Sequence, residues 1–235
     1  MKIIGLTGSI GMGKSMAAAL LRRLKVPVHC ADEAVHAALA PGGAGVEAVA
    51  RLYPPALKKD ARGRHFIDRK ILGAAAFADE KLLKRLEKIL HPLTRQAEKK
   101  FLRRARGRRS KLAVLDIPLL FEGGRQRDLS AIWVVSATPF TQARRVLSRP
   151  GMDAARFHAV LSRQMADAKK RARADGVIPT GLGKAVTVGK LKRALKHVIA
   201  RSVATKQSKN LFSSRHPEKS SELRSRGLFR ISLSG

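Results

Sequence analysis

Eight residues near the start of the chain carry the clearest chemical pattern. Gly8-Ser9-Ile10-Gly11-Met12-Gly13-Lys14-Ser15 fits G-x-x-x-x-G-K-[ST], with a strand-like apolar run before it and helical spacing after it. In such a turn successive backbone N–H groups point inward as an anion nest. The positive end of the following helix faces the same place. Glycines at 8, 11 and 13 permit left-handed backbone angles and close approach of a phosphate. Lys14 adds a mobile charge for β- and γ-phosphates, and Ser15 offers a hydroxyl to magnesium. Met12 and Met16 complete the nucleotide-binding set. The pattern predicts binding of a nucleoside triphosphate with Mg²⁺. By itself it does not say what receives the phosphate.

A second chemical group lies at Cys30-Ala31-Asp32-Glu33-Ala34-Val35-His36. A carboxylate just after a second strand falls at the carboxyl edge of the sheet, beside the phosphate loop, where such folds bind ligands. Asp32 there can take a proton from an acceptor hydroxyl or help position magnesium. The alternative is a plain helix N-cap, and position alone weighs the two equally.

These groups need elements to hold them. Lys2–Thr7 reads as a buried strand, Lys14–Leu24 as a helix and Val26–His29 as a second strand. Short helices are predicted around 31–40 and 46–53, then a loop or small hairpin over 56–67. A long helical region spans Asp68 to about Arg106, with Pro92 expected to kink or split it. Strands follow at Lys111–Ile117, Ala131–Val135 and Val177-Ile178. Helices are expected at Thr138–Leu147 and Asp153–Ala174, and Thr187 reads as the N-cap of a last helix. Alternating strands and helices imply an α/β fold with a mostly parallel sheet covered on both faces.

Several classes are excluded. A GTP-binding switch should carry N-K-x-D, and none is present. Asp60-Ala61-Arg62-Gly63 spells D-x-x-G, but no buried strand precedes it. Leu112–Asp116 loosely fits the magnesium strand of a motor or transporter ATPase. It runs, however, into Ile117-Pro118-Leu119-Leu120-Phe121-Glu122, unusual for those classes.

The sequence resembles the dephospho-coenzyme A kinase family. Besides the phosphate loop with Leu6-Thr7, the resemblance rests on Ala31-Asp32 with His36, Ile67-Asp68-Arg69 with Leu72-Gly73, and Leu90-His91-Pro92-Leu93. It continues through Asp116–Glu122, Gln142 with Arg145 and Arg149, Gln164, and Ala174-Asp175 before Val177-Ile178. It covers about residues 1–200. It implies a three-layer P-loop kinase fold with a five-stranded, mostly parallel sheet. The core would be 1–40 and 111–200, with a helical acceptor-binding insertion at about 41–110 and a lid at about 140–175. It further implies ATP-dependent phosphorylation of the ribose 3′-hydroxyl of dephospho-coenzyme A, with Asp32 as general base. Gly11, Gly13, Lys14 and Ser15 would form the ATP loop, Ser15 and Asp32 would serve the metal, and Arg145 and Arg149 would belong to the lid. Three departures stand out: Cys30 and Met16 replace the usual Asp and Thr, and Pro179 replaces the usual polar residue after Val177-Ile178. The first implies weaker metal affinity.

Composition sets the outer bounds. Lys plus Arg number 49 against 17 acidic residues, a net charge of +32 over 235 residues. That favours anionic partners. Two readings compete with the leading one. One is another small-molecule kinase, of the nucleoside monophosphate or shikimate type. The other is a basic nucleic-acid-binding protein with a vestigial nucleotide site, which the 4% aromatic content disfavours for base stacking. With one cysteine, Cys30, no intrachain disulfide forms. No apolar run approaches the ~18 residues of a membrane span. A cytoplasmic monomer or weak homo-oligomer is expected, with no specific nucleic acid. Residues 201–235, rich in Ser, Lys and Arg, read as a disordered basic tail.

Overall fold

The computed structural model describes residues 1–213, with side-chain surroundings through Ala200. The chain opens with β1 (Lys2–Thr7), α1 (Lys14–Arg23) and β2 (Val28–Cys30), and α2 (Ala31–Leu39) follows β2 without a linker. Next come α3 (Val46–Leu52), a hairpin of β3 (Leu57–Lys59) and β4 (His65–Ile67), then α4 (Arg69–Ala78) and α5 (Glu80–Gly107). The chain returns through β5 (Leu112–Asp116), β6 (Ala131–Ser136), α6 (Pro139–Leu147), α7 (Ala154–Ser162), α8 (Asp167–Ala172), β7 (Gly176–Pro179) and α9 (Lys184–Ser213).

The main sheet is parallel throughout, in the order β2-β5-β1-β6-β7. Strands β5 and β6 are buried along their whole length, as a sheet covered on both faces requires. On one face Ile4, Leu6, Trp133, Val135 and Ile178 pack with Ala17 and Leu21 of α1 and Leu191 of α9. On the other, Leu115, Ile132 and Val134 pack with Leu120 and Phe121, flanked by Phe101, Leu102 and Met165. A third cluster, Leu39, Val49, Ile67, Leu72 and Leu86, binds α2 to α5 and the hairpin into a separate helical layer. β1 connects toward β2 on one side and β6 toward β7 on the other. The chain therefore parts above the carboxyl edge, where ligands of open α/β sheets sit.

The structure corrects several expected boundaries. β2 is shorter than predicted because Pro27 has no N–H for the ladder, although its carbonyl still accepts from Val114 N at 2.9 Å. The long helical region breaks at Asp79, and α5 runs unbroken through Pro92. Asp79 caps α5 by accepting from Lys81 N (2.8 Å) and Leu82 N (3.1 Å). Leu82, Leu86 and Ala105 bury on either side of the proline, so packing holds the helix across it. The predicted helix 153–174 is two helices: the Met165 N–H leaves the helix ladder for Glu122 Oε1, while the Gln164 side chain accepts from Ile10 N. α9 starts at Lys184, so Thr187 lies inside it; its hydroxyl donates to Pro179 O (2.8 Å) and Gly183 O (3.0 Å). α9 also continues past Arg201 to Ser213, where a tail was expected. That stretch holds no Gly or Pro to stop a helix already formed. The rest of the expected tail, 214–235, lies outside the described residues. Asp60-Ala61-Arg62-Gly63 is a hairpin turn: Asp60 Oδ1 accepts from Arg62 N and Arg64 N, both at 2.9 Å.

Candidate active site

The phosphate loop joins β1 to α1 with two residues in the left-handed region, Gly11 (φ 74°) and Gly13 (φ 84°). A Cβ on Gly11 would lie 2.6 Å from Val146 Cγ2, and one on Gly13 would lie 2.8 Å from Thr180 Oγ1. Both positions therefore demand glycine for conformation and for space. Gly13 is the N-cap of α1 and supplies no side-chain cap. The first amides of the helix, at Lys14, Ser15 and Met16, are thus free for an anion.

A cavity of about 510 Å³ opens over this loop at the carboxyl edge of the sheet. It is lined by Gly8, Gly11, Gly13, Lys14, Ser15 and Met16 from the loop, Asp32 from α2, and Arg145 and Arg149 from α6 and its exit. Ser9, Ile10, Pro118 and Gln164 complete it. Every residue assigned to the site from sequence lines this one space except Met12. Met12 is 3% exposed within the core, its N–H donates to Ser9 O at 3.1 Å, and its sulfur accepts from Ala137 N. It shapes the loop from behind.

Asp32 is not the N-cap of α2. Cys30 holds that position without a side-chain cap, and Asp32 lies in the first turn, on the cavity side. Its carboxylate enters no ion pair among the described residues. The capping alternative is thereby removed.

Lys14 Nζ lies 2.5 Å from Asp116 Oδ1 at the end of β5. Asp116 is 2% exposed, and burial pushes its carboxyl above the usual value, with the Asp32 charge adding to that, while Lys14 and the Cys30 thiol pull it back. Burial likewise raises the Cys30 thiol, so this cysteine is a poor nucleophile. Sequence reasoning gave Asp116 no role in this site. Its signal was an acidic residue closing a fully apolar strand.

The segment after Asp116 is tied down on three sides. Thr7 Oγ1 donates to Pro118 O (3.0 Å), Glu122 Oε1 accepts from Met165 N (2.7 Å), and Lys170 Nζ sits 2.9 Å from Glu122 Oε1 as an ion pair. Residues of α6 and of the turn after α7 are docked on the loop through Ile10. Its N–H donates to Gln164 Oε1 (3.0 Å), and its carbonyl accepts from Gln142 Nε2 (2.7 Å). Arg145 is held by Thr180 and Gly11 through oxygens alone, while Arg149 is exposed at the rim. His36 contacts Arg69 in a neighbouring cavity of about 470 Å³ that also includes Asp68 and Lys70. His91 is exposed mid-way along α5.

The arrangement offers an anion nest, a lysine, a free carboxylate and two arginines around one space, which is what phosphoryl transfer asks for. Comparison with known proteins adds to the geometry. A family model described as dephospho-CoA kinase matches residues 2–184. The chain is 56% identical over 171 residues to a dephospho-CoA kinase of Paramagnetospirillum magneticum, covering 73% of this chain and 78% of that protein. It is 50% identical over 181 residues to one of Rhodospirillum rubrum, covering 77% and 84%. Among solved structures, TT1252 from Thermus thermophilus matches with a TM-score of 0.71 at 36% identity, over 85% of this chain and 97% of that one. A dephospho-CoA kinase from Campylobacter jejuni shares the fold, with a TM-score of 0.57 at 22% identity, over 84% and 97%.

Proposed function

The chain belongs to the dephospho-CoA kinase family, and on that premise we propose how its own residues divide the work. The protein is an ATP-dependent kinase of coenzyme A biosynthesis. With Mg²⁺ it moves the γ-phosphate of ATP to the ribose 3′-hydroxyl of dephospho-CoA, giving coenzyme A and ADP.

The donor set suits the metal. Ser15 and Asp32 bring a hydroxyl and a carboxylate to one cavity, oxygen ligands of the kind Mg²⁺ takes beside phosphates and water. No group of three His, Cys, Asp or Glu among the described residues forms a cage, which fits an ion held largely by substrate phosphate. Ser15 and Asp32 would hold the ion, which would supply positive charge against that of the phosphates.

The loop amides at Gly11, Gly13, Lys14 and Ser15 grip the triphosphate. Lys14 leaves Asp116 for the phosphates and follows the charge on the moving group. Asp32, unpaired and facing the same cavity, accepts the proton of the 3′-hydroxyl. Arg145 and Arg149 cover the phosphates and exclude water, limiting wasteful hydrolysis. The observation that carries this reading is the placement of Asp32 in one cavity with Lys14 and Ser15.

The division into a core at 1–40 and 111–200, an acceptor-binding helical insertion at about 41–110 and a lid at about 140–175 follows from the same reading. It is supported by the separate hydrophobic cluster of α2–α5. A cytoplasmic setting fits a chain with one cysteine and, among its described residues, no helix long and apolar enough to cross a membrane. Self-repulsion at +32 favours a monomer or weak homo-oligomer, and the 4% aromatic content disfavours specific recognition of nucleic acid by base stacking.

The test is mass spectrometry after incubation with ATP, Mg²⁺ and dephospho-CoA, alongside AMP and shikimate as rival acceptors. A product one phosphate heavier is expected from dephospho-CoA alone. Turnover of a rival acceptor in its place would overturn the reading.

A further inference from the structure

Thr180 follows β7 directly and is 2% exposed, yet it touches both other parts of the nucleotide site. Its hydroxyl donates to Met12 O in the phosphate loop at 2.6 Å and accepts from Arg145 Nη1 of α6 at 3.2 Å. Its carbonyl accepts from Arg145 Nη2 at 2.7 Å. Arg145 Nη1 also reaches Gly11 O at 3.3 Å. From below, Thr180 Oγ1 fills the space where a Cβ on Gly13 would stand. One threonine thus joins strand, loop and lid helix.

The electrical character of these partners matters. All of them are neutral oxygens, and among the described residues Arg145 makes no salt bridge. The guanidinium is therefore oriented without being neutralised. A carboxylate in place of Thr180 would orient it equally well but cancel the charge an anionic ligand needs. A hydroxyl and a carbonyl fix the fork and leave the charge free. The rigid fork also has both outer nitrogens engaged by one residue, so its direction follows the end of β7.

We propose that Thr180 is a positioning residue for nucleotide binding, holding Arg145 and the Gly11–Gly13 turn in one arrangement so that the triphosphate of ATP meets an oriented, unneutralised guanidinium. The inference rests on the kinase reading above for the identity of the nucleotide. It makes no demand on the acceptor. The loop and the lid helix are 132 or more residues apart in sequence at their direct contacts, and Thr180 gives them a common anchor in the rigid sheet.

The test compares Thr180→Val, which keeps the shape and removes the hydroxyl, with Thr180→Ser, which restores it. Calorimetric titration with MgATP needs no acceptor, so its result stands even if dephospho-CoA proves not to be the substrate. Thr180→Val is expected to raise the Kd for MgATP about tenfold, the scale of one hydrogen bond to a charged group. Thr180→Ser is expected to stay within about threefold of the wild type. In an Arg145→Met background the effect of Thr180→Val should shrink below about threefold, because the two residues act as a unit. The KM for dephospho-CoA should stay within about twofold, since only nucleotide binding is altered. Wild-type affinity in Thr180→Val, or an undiminished effect in the Arg145→Met background, overturns the proposal. Should the valine variant fail to fold by thermal melting, Thr180→Ala against Thr180→Ser gives the same contrast, with the same outcomes deciding it.

Discussion

Lys14 rests on Asp116 at 2.5 Å, so its charge is already engaged before any nucleotide arrives. Phosphates must outcompete one buried carboxylate, and they do so with several charges and with the loop amides beside them. Lys14→Ala should cut kcat by on the order of 10²-fold or more, the usual scale for losing one charge-stabilising donor, measured as ADP release at saturating ATP. Asp32→Asn should lower kcat by at least ~10²-fold while the Kd for MgATP holds near its wild-type value. Wild-type turnover in that variant would remove Asp32 from the role of base. Gly13→Ala should abolish measurable MgATP binding in calorimetry, since it combines left-handed strain of about 1–2 kcal/mol with a 2.8 Å collision at Thr180. The loop residues were legible because they are contiguous and their spacing encodes their backbone. Asp116 and Thr180 were not, because their partners lie 102 residues away in one case and 35 or more in the other.

At the scale of elements, local rules marked most starts and failed at some stops. Asp153, Thr138 and Asp79 all cap helices with their side chains. Pro92, the strongest breaker in its region, did not break α5. One lost backbone hydrogen bond was outweighed by the apolar face the helix presents to its neighbours. The split between α7 and α8 came from bonds to distant residues, which no local pattern announces. One of those bonds ends at Glu122. Burial pushes its carboxyl up, but Lys170 and the Met165 N–H pull it further down, so it titrates below its ordinary 4.5. A depressed carboxyl contributes stability that is present above pH 4.5 and fades as pH falls through its lowered value. Glu122→Gln should therefore cost about 3 kcal/mol at neutral pH in urea unfolding, because Lys170, 0% exposed, loses its counter-ion. The gap between variant and wild type should narrow in acid. An unchanged gap there would place the loss elsewhere.

For the whole molecule, charge sets the long-range behaviour and burial sets the fold. A net charge of +32 should give DNA retention in a gel shift that collapses as salt rises, with no preference among sequences. Sequence-selective, salt-resistant retention would count against the small-molecule reading of the basic surface. Truncation after Ala200 keeps Leu191, Leu195, Val198 and Ile199, the α9 residues that pack on the core. The shortened chain should melt as the full one does and turn over dephospho-CoA within about twofold, because those packed residues are retained. The sequence by itself determined the phosphate loop, the alternation of strand and helix, and the layering of the sheet, because these depend on spacing between near neighbours. Only the tertiary structure decided which carboxylate holds Lys14, what anchors Arg145 and where Gln142 and Gln164 dock on the phosphate loop. Those contacts join residues far apart in the chain, and their geometry exists only once the sheet has brought its carboxyl ends to one edge.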